Sequence, residues 1–309
     1  MRKCLFFALI GIITMSCEQT ILNSGSTGIQ CNLTWTITRD GVLTISGRGE
    51  MINFNRSWDV PWDAYRETIR TVVVENGVTR IGDLSFFGNG NLTTVIIGND
   101  VTSIGDRAFG YSTSLTSLII GNNVEVIGRD AFEYSENLTS VILPNSIIHI
   151  ASWAFRNSGL TSVVISENVR AVGSGAFEDC HNLTSVTIEN GVGWIGGFTF
   201  ANTNLTSVII PNSVEFIGNY AFRNSGLTSV VIGSGVELIL EGAFAGCNDL
   251  ISITCYALIP PAIDFWNTPT GIFEGVNKET ATLRVPAQSI ELYRQAQGWQ
   301  DFQNIVAIE

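Results

Sequence analysis

The sequence predicts an α/β repeat solenoid, built from coils of 22–23 residues with one short strand and one short helical or 3₁₀ turn in each, and capped at both ends. Three observations carry this reading. Phenylalanine recurs at Phe86, Phe109, Phe132, Phe155, Phe177, Phe200, Phe222 and Phe244, in steps of 23, 23, 23, 22, 23, 22 and 22 residues, a self-similarity that marks a stacked array. Hydrophobic residues make up 45% of the 309 and charged residues only 14%, far too apolar for disorder and suited to segments that each own an inward face. Between the phenylalanines, a β-branched alternation is followed by a polar turn and an Ala-Phe pair.

Counted from their first aliphatic residue, the units open at Ile69, Leu92, Leu115, Leu138, Leu160, Leu183, Leu205 and Leu227, and Leu250 begins a ninth, incomplete one, so the repeats span 69–255. Each reads L-T-S-V-I-I-x-N-x-V-x-x-I-G-x-x-A-F and closes in a polar turn. Places four and six (Val95 and Ile97, for instance) point inward from a short strand, and place five points outward. Places ten and thirteen add two more inward columns, and the Ala-Phe pair fits a helical turn that plugs the coil. No unit buries this face alone, so stacking at strand spacing, about 4.7–4.9 Å, supplies the core. Cys180, Cys247 and Cys255 fall in inward columns and are expected as small core residues. They lack metal-ligand spacing, and no metal or cofactor is predicted.

The ends break register. Residues 31–68 carry Trp35, Met51, Trp58, Trp62 and Tyr65 with strand-like runs at Leu33–Thr38 and Val42–Ser46, which predicts an N-terminal cap over the first phenylalanine. Residues 256–309 predict a C-terminal cap with a strand at Thr282–Val285, a helix over Ala287–Gln297 behind Pro286, and a last strand at Ile305–Ile308. At the start, Arg2 and Lys3 precede an apolar run from Leu5 to Ile13, too short to span a bilayer, so 1–16 reads as a cleaved export signal. The Ser16-Cys17 junction is similar to a bacterial lipobox, which predicts a lipidated Cys17 followed, through residue 30, by a flexible tether containing Ser24-Gly25-Ser26-Thr27-Gly28. The expected location is secreted, at the cell surface or outer membrane, with the lipid as the only membrane contact.

The unit seen in Leu115–Phe132, the opening Leu33-Thr34-Trp35 through Gly41-Val42-Leu43-Thr44-Ile45-Ser46-Gly47 to Pro61-Trp62, and the closing Val285-Pro286…Tyr293…Gly298-Trp299…Phe302…Ile305 together resemble the BspA-type leucine-rich-repeat family of bacterial surface proteins. The resemblance runs from about residue 31 to the end. It implies a right-handed leucine-rich-repeat solenoid and a role in adhesion to host matrix, serum proteins or other microbes. It carries over no ligand residues, because the family shares a scaffold and not a fixed site.

Acidic residues outnumber basic ones 28 to 16, a formal charge of −12 with no basic tract, which argues against a nucleic-acid partner. Catalysis has little support: His149 and His181 are the only histidines, in different repeats, and no nucleophile-elbow, phosphate-loop or zinc-protease motif occurs. The expected partner is a protein or a glycan, with self-association as a further expectation. Two surface stripes are candidate sites. Place five lines the strand face with Ile96, Ile119, Ile142 and Ile209. Place twelve starts polar at Arg80 and Ser103, and places twelve and sixteen together carry His149, Trp153, Trp194, Phe198, Phe216 and Tyr220 in repeats four to seven, with Ala171 and Gly175 predicted to leave a notch among them. Contiguous exposed rings mark an interface.

Overall fold

The computed structural model describes residues 21–26, 32–263 and 271–309. Cys17, the export signal and Phe265-Trp266 lie outside the described residues. The N-terminal strands β1 (Ile21–Ser26), β2 (Asn32–Thr38) and β3 (Val42–Glu50) form an antiparallel meander. The tether expected over 18–30 therefore gives way to a strand at Ile21–Ser26, because β2 offers it a ladder from Thr34 to Thr38. The long β3 serves as the template for everything after it. Its first half, Val42–Ile45, pairs in parallel with Thr71–Val74, and Gly49 and Glu50 pair with Val78 and Arg80.

Two parallel sheets thus leave β3, where one strand per repeat was expected. The first uses places three to six, beginning with Thr71–Val74, Thr94–Ile97 and Ser117–Ile119. The second uses the short strand at places twelve and thirteen and runs without interruption from Val78–Ile81 to Ala262–Ile263. The predicted helical plug is also corrected. Place sixteen is left-handed in every full repeat, from Leu84 (φ 59°) to Gly242 (φ 59°), and so is place twenty, from Gly88 (φ 73°) to Gly246 (φ 74°). Two left-handed residues four apart cannot continue a helix. They turn the peptide N–H groups toward the next coil instead. In the first full repeat Leu84, Phe86 and Gly88 donate to the carbonyls of Asp106, Ala108 and Gly110 (2.9, 2.7 and 2.8 Å), and the same three bonds recur along the array. The Ala-Phe segment is a third inter-coil ladder.

Inside, the phenylalanines stack as a ladder with centroids 4.9–5.6 Å apart. Trp62 lies flat on Phe86 at 5.3 Å as its first rung. That cap also satisfies the carbonyls the third ladder leaves open: Phe54 N–H donates to Asp83, the Trp62 indole to Ser85, and the Arg66 guanidinium to Phe87. At the other end Phe273 continues the ladder at 5.5 Å from Phe244, and Trp299 and Phe302 close it edge-on. Beyond Cys255, the strand Ala262–Ile263 pairs with Leu238–Ile239 and continues the second sheet. Thr282–Val285 and Asn304–Ala307 extend the first sheet, and a 3₁₀ turn at Ala287–Ser289 with α1 (Ile290–Gln295) packs between them in sequence. Cys180, Cys247 and Cys255 are fully buried. Burial pushes the Cys180 thiol up to about 11, so it stays protonated and inert at neutral pH.

The first sheet is broken in two places. Residues 138–143 pair with neither Ser117–Ile119 nor Ser162–Ile165, and Ser185–Ile188 does not pair with Ser207–Ile210. Each break involves a coil whose place seven is proline, Pro144 in the first and Pro211 in the second. In three other coils this residue ties the stack together: Gly98, Glu189 and Gly233 donate to the carbonyls of Val74, Ile165 and Ile210 at 2.8–2.9 Å. Proline has no N–H to give. The core loosens accordingly, with Val141, Leu143 and Val186 half-buried where their equivalents are buried.

Replacing Pro211 with Ala restores a donor opposite Ile188. The new bond, worth about 0.5–1.5 kcal/mol, is offset by the about 0.4–1 kcal/mol that proline contributes by restricting the unfolded chain. The expected outcome is a strongly protected amide at residue 211 by hydrogen exchange, with global stability within about 1 kcal/mol of wild type. Fast exchange at 211 would show that side-chain packing, not the missing donor, opens the seam.

Candidate functional site

The place-twelve side chains project outward from the continuous second sheet. Its register sets Val126, His149, Ala171, Trp194, Phe216 and Leu238 side by side. Trp194 is 50% exposed and packs on Phe216 at 5.6 Å between centroids, tilted by 46°. His149 is exposed at the far side of Ala171. The chain then turns at place fourteen. A side chain built on Gly196 or Gly218 would meet the backbone of the preceding coil at 2.6 or 2.4 Å, so glycine fits here without a shift and leaves a bare backbone floor. Beyond the turn, Phe198 stacks on Tyr220 at 5.1 Å. The six predicted rings therefore divide into two neighbouring pairs and two outliers.

The walls of one open groove of about 500 Å³ are Trp194 and Phe198, its floor is Gly173, Gly196 and Gly218, and Ser152, Ser174, Asn219 and Leu240 are among the other residues that line it. Trp194 and Phe198 come to the same groove through the Gly196-Gly197 corner, with no helix between them. The notch is present at Ala171 and Gly173 but not at Gly175. There the Trp153 indole folds over the next coil, so that a Cβ on Gly175 would lie 2.4 Å from the ring. Tyr220 covers Gly242 in the same manner. The left-handed backbone at place sixteen aims each side chain toward the next coil, a direction that periodicity alone does not reveal.

Trp153 belongs instead to a polar network the sequence reading missed. Arg129 sits over its ring, 4.4 Å from the centroid, and also reaches the buried Asp130 at 3.5 Å, to which Arg107 donates at 3.0 Å. Arg156 lies among Glu133, Glu178 and Asp179 at 3.6, 3.3 and 3.4 Å. Burial raises the carboxyls of Glu133 and Glu178 above the usual range; for Glu178, Arg156 and a hydrogen bond from Trp153 pull the other way. The place-nineteen residues Glu133, Arg156 and Glu178, one coil apart, were the available signal for this column. His181, exposed, lies 2.9 Å from the Asn202 carbonyl through Nδ1 and takes no part in the groove.

On the strand face, Ile142 is 87% and Ile209 67% exposed, whereas Ile96 and Ile119 are half-buried. The expected stripe is thus uneven. Both exposed isoleucines sit in the proline-bearing coils, where the sheet is interrupted.

Gly175→Ala tests the Trp153 packing. Alanine at φ 64° costs about 1–2 kcal/mol for the left-handed backbone, and its methyl group displaces the indole from Arg129. The expected outcome is a melt lower by several degrees, with a changed near-ultraviolet dichroism signal. An unchanged spectrum would mean that Trp153 is not held on Gly175.

The sequence profile described as the BspA type leucine rich repeat region matches residues 64–184 and 149–260, in six copies. No curated protein matches the chain. Among solved structures, the chain is similar to a leucine-rich repeat protein from Eubacterium ventriosum, with 22% identity, 93% of this chain and 85% of that one covered, and a TM-score of 0.55. It is also similar to a leucine rich cell surface protein from Faecalibacterium prausnitzii (20% identity, 95% and 96% covered, TM-score 0.41) and to a leucine-rich repeat protein from Bacteroides ovatus (19% identity, 91% and 100% covered, TM-score 0.41). Two parallel sheets, a continuous phenylalanine ladder and a profile match over most of its length place this chain in the BspA-type leucine-rich-repeat family.

Proposed function

We propose that the chain is a non-enzymatic bacterial surface lipoprotein that binds macromolecules as an adhesin or protein-interaction module, and that the ring-walled groove is its contact. The observation that carries the reading is one open groove on a continuous sheet, walled by Trp194 and Phe198, which pack on Phe216 and Tyr220. Large rings held on a rigid frame supply more interface energy than most side chains, because little conformational freedom is lost when they are covered. Family membership supports a binding role in preference to a chemical one.

The double substitution Trp194→Ser, Phe216→Ser should weaken capture of matrix proteins, serum proteins or microbial cells by more than about tenfold, which corresponds to roughly 1.4 kcal/mol. A single Trp194→Ser should leave the melt within a few degrees, since exposed substitutions usually stay within about 0.5 kcal/mol. Unchanged capture by the double variant would remove the groove from the reading. A collapse of the melt in the single variant would reassign Trp194 to the core.

A second reading, self-association through the strand face, is favoured by the exposure of Ile142 and Ile209. Particle mass that rises with concentration in wild type but not in Ile142→Thr is its signature. The anchor rests on the Arg2–Cys17 segment. Cys17→Ser should abolish metabolic labelling by palmitate and release the protein to the soluble fraction, whereas equal labelling of both proteins would rule the anchor out.

A further inference from the structure

We infer that the groove between Trp194 and Phe198 is a subsite for an uncharged glycan chain lying along the solenoid axis. The inference rests on the reading of this groove as the binding face, and it assigns the chemistry of what the groove holds.

In a chain with a formal charge of −12, none of the residues lining the groove is charged. A sulfated or carboxylated ligand would find no cation there and would approach an acidic protein. An extended peptide is disfavoured for a different reason. Peptides that dock as strands need backbone partners at the two-residue repeat of a strand, about 6.6–6.8 Å. The N–H groups left without a bond here among the described residues, on Ser152, Ser174, Gly197 and Asn219, come one per coil at about 4.7–4.9 Å, and the donors of the glycine floor are committed. Gly173, Gly196 and Gly218 donate to the carbonyls of Ile150, Val172 and Ile195 at 2.8–2.9 Å, and Gly175 donates to the Gly197 carbonyl at 2.8 Å.

What the groove offers is amphipathic. Trp194, Phe198 and Leu240 present apolar faces, and Ser152, Ser174 and Asn219 present hydroxyl and amide groups. The Trp194 ring, half-exposed and backed by Phe216, makes no hydrogen bond through its indole N–H among the described residues. A pyranose has the matching character, with apolar C–H faces to lie on the rings and hydroxyl edges that bond to short polar side chains or to water on the open side. The volume of about 500 Å³ lies within the range of small-ligand clefts, roughly 300–1,000 Å³. From Ser152 to Leu240 the groove crosses four coil steps, about 19 Å at strand spacing, so it suits a short oligosaccharide and not a single sugar.

The test is a printed array of neutral and anionic glycans, probed with the full chain. Calorimetry then follows on the strongest neutral hexasaccharide, a heparin hexasaccharide and decaproline. Wild type, Trp194→Ala and Trp194→Phe are compared, with a melt for each to establish folding. A neutral chain should bind, the heparin fragment should not, Trp194→Ala should weaken binding at least tenfold, and Trp194→Phe, which keeps a ring, should lose less. The absence of any neutral glycan signal, a preference for heparin, or equal affinity in Trp194→Ala overturns the inference. Decaproline binding that is lost in Trp194→Ala also overturns it, yet leaves the groove standing as the contact for a proline-rich partner. Macromolecular capture that ignores Trp194 removes the groove itself.

Discussion

Every coil must sit one strand-width from the next on three faces at once, and the rest of the structure answers to that spacing. Two faces meet it with parallel strands. The third meets it with left-handed residues at places sixteen and twenty, most of them not glycine: Leu84, Arg107, Trp153, Phe198 and Tyr220 all adopt φ near 55–60°. Each pays a conformational cost of about 1–2 kcal/mol, offset by inter-coil bonds that only this backbone aligns. The same spacing explains the glycines at place fourteen, where a Cβ would strike the preceding coil. It also explains why phenylalanine fits the ladder so well, since a flat ring stacks at about the distance the backbone demands.

The core was legible because it is periodic: the columns at places four, six, ten, thirteen and eighteen could be read by counting, and they are buried in nearly every coil. What escaped had no period-based signal. A strand of two residues, such as Trp194–Ile195, is too short for alternation to show. The left-handed columns were half visible, in that Gly88, Asn157, Asp179, Asn202, Asn224 and Gly246 recur at place twenty, residue types that tolerate φ above zero. Pro144 and Pro211 stood in plain view as turn residues. Their second effect, removal of a ladder donor, follows only once place seven is known to donate.

The candidate site shows the same division. Counting aligned Trp194 with Phe216 and Phe198 with Tyr220, and both pairs are in contact. Counting could not tell which way a place-sixteen side chain leans, so Trp153 was expected beside the notch and instead lies over Gly175, beneath Arg129. The groove is therefore a local lapse in a filled surface. It opens where small residues at Ala171, Gly173 and Gly197 follow one another, over a floor whose donors at Gly173, Gly196 and Gly218 are already engaged.

The third ladder also gives the molecule an electrical direction. Its N–H groups all point from each coil toward the following one, so the peptide dipoles on that face add instead of alternating, as they do within an α-helix. The carbonyl end, the negative pole, faces the N-terminal cap, and Arg66 stands there as a cation does at a helix C-terminus. The two caps are therefore complementary to opposite poles and cannot be exchanged. A coil added or lost in the middle lengthens or shortens the dipole and leaves its ends unchanged.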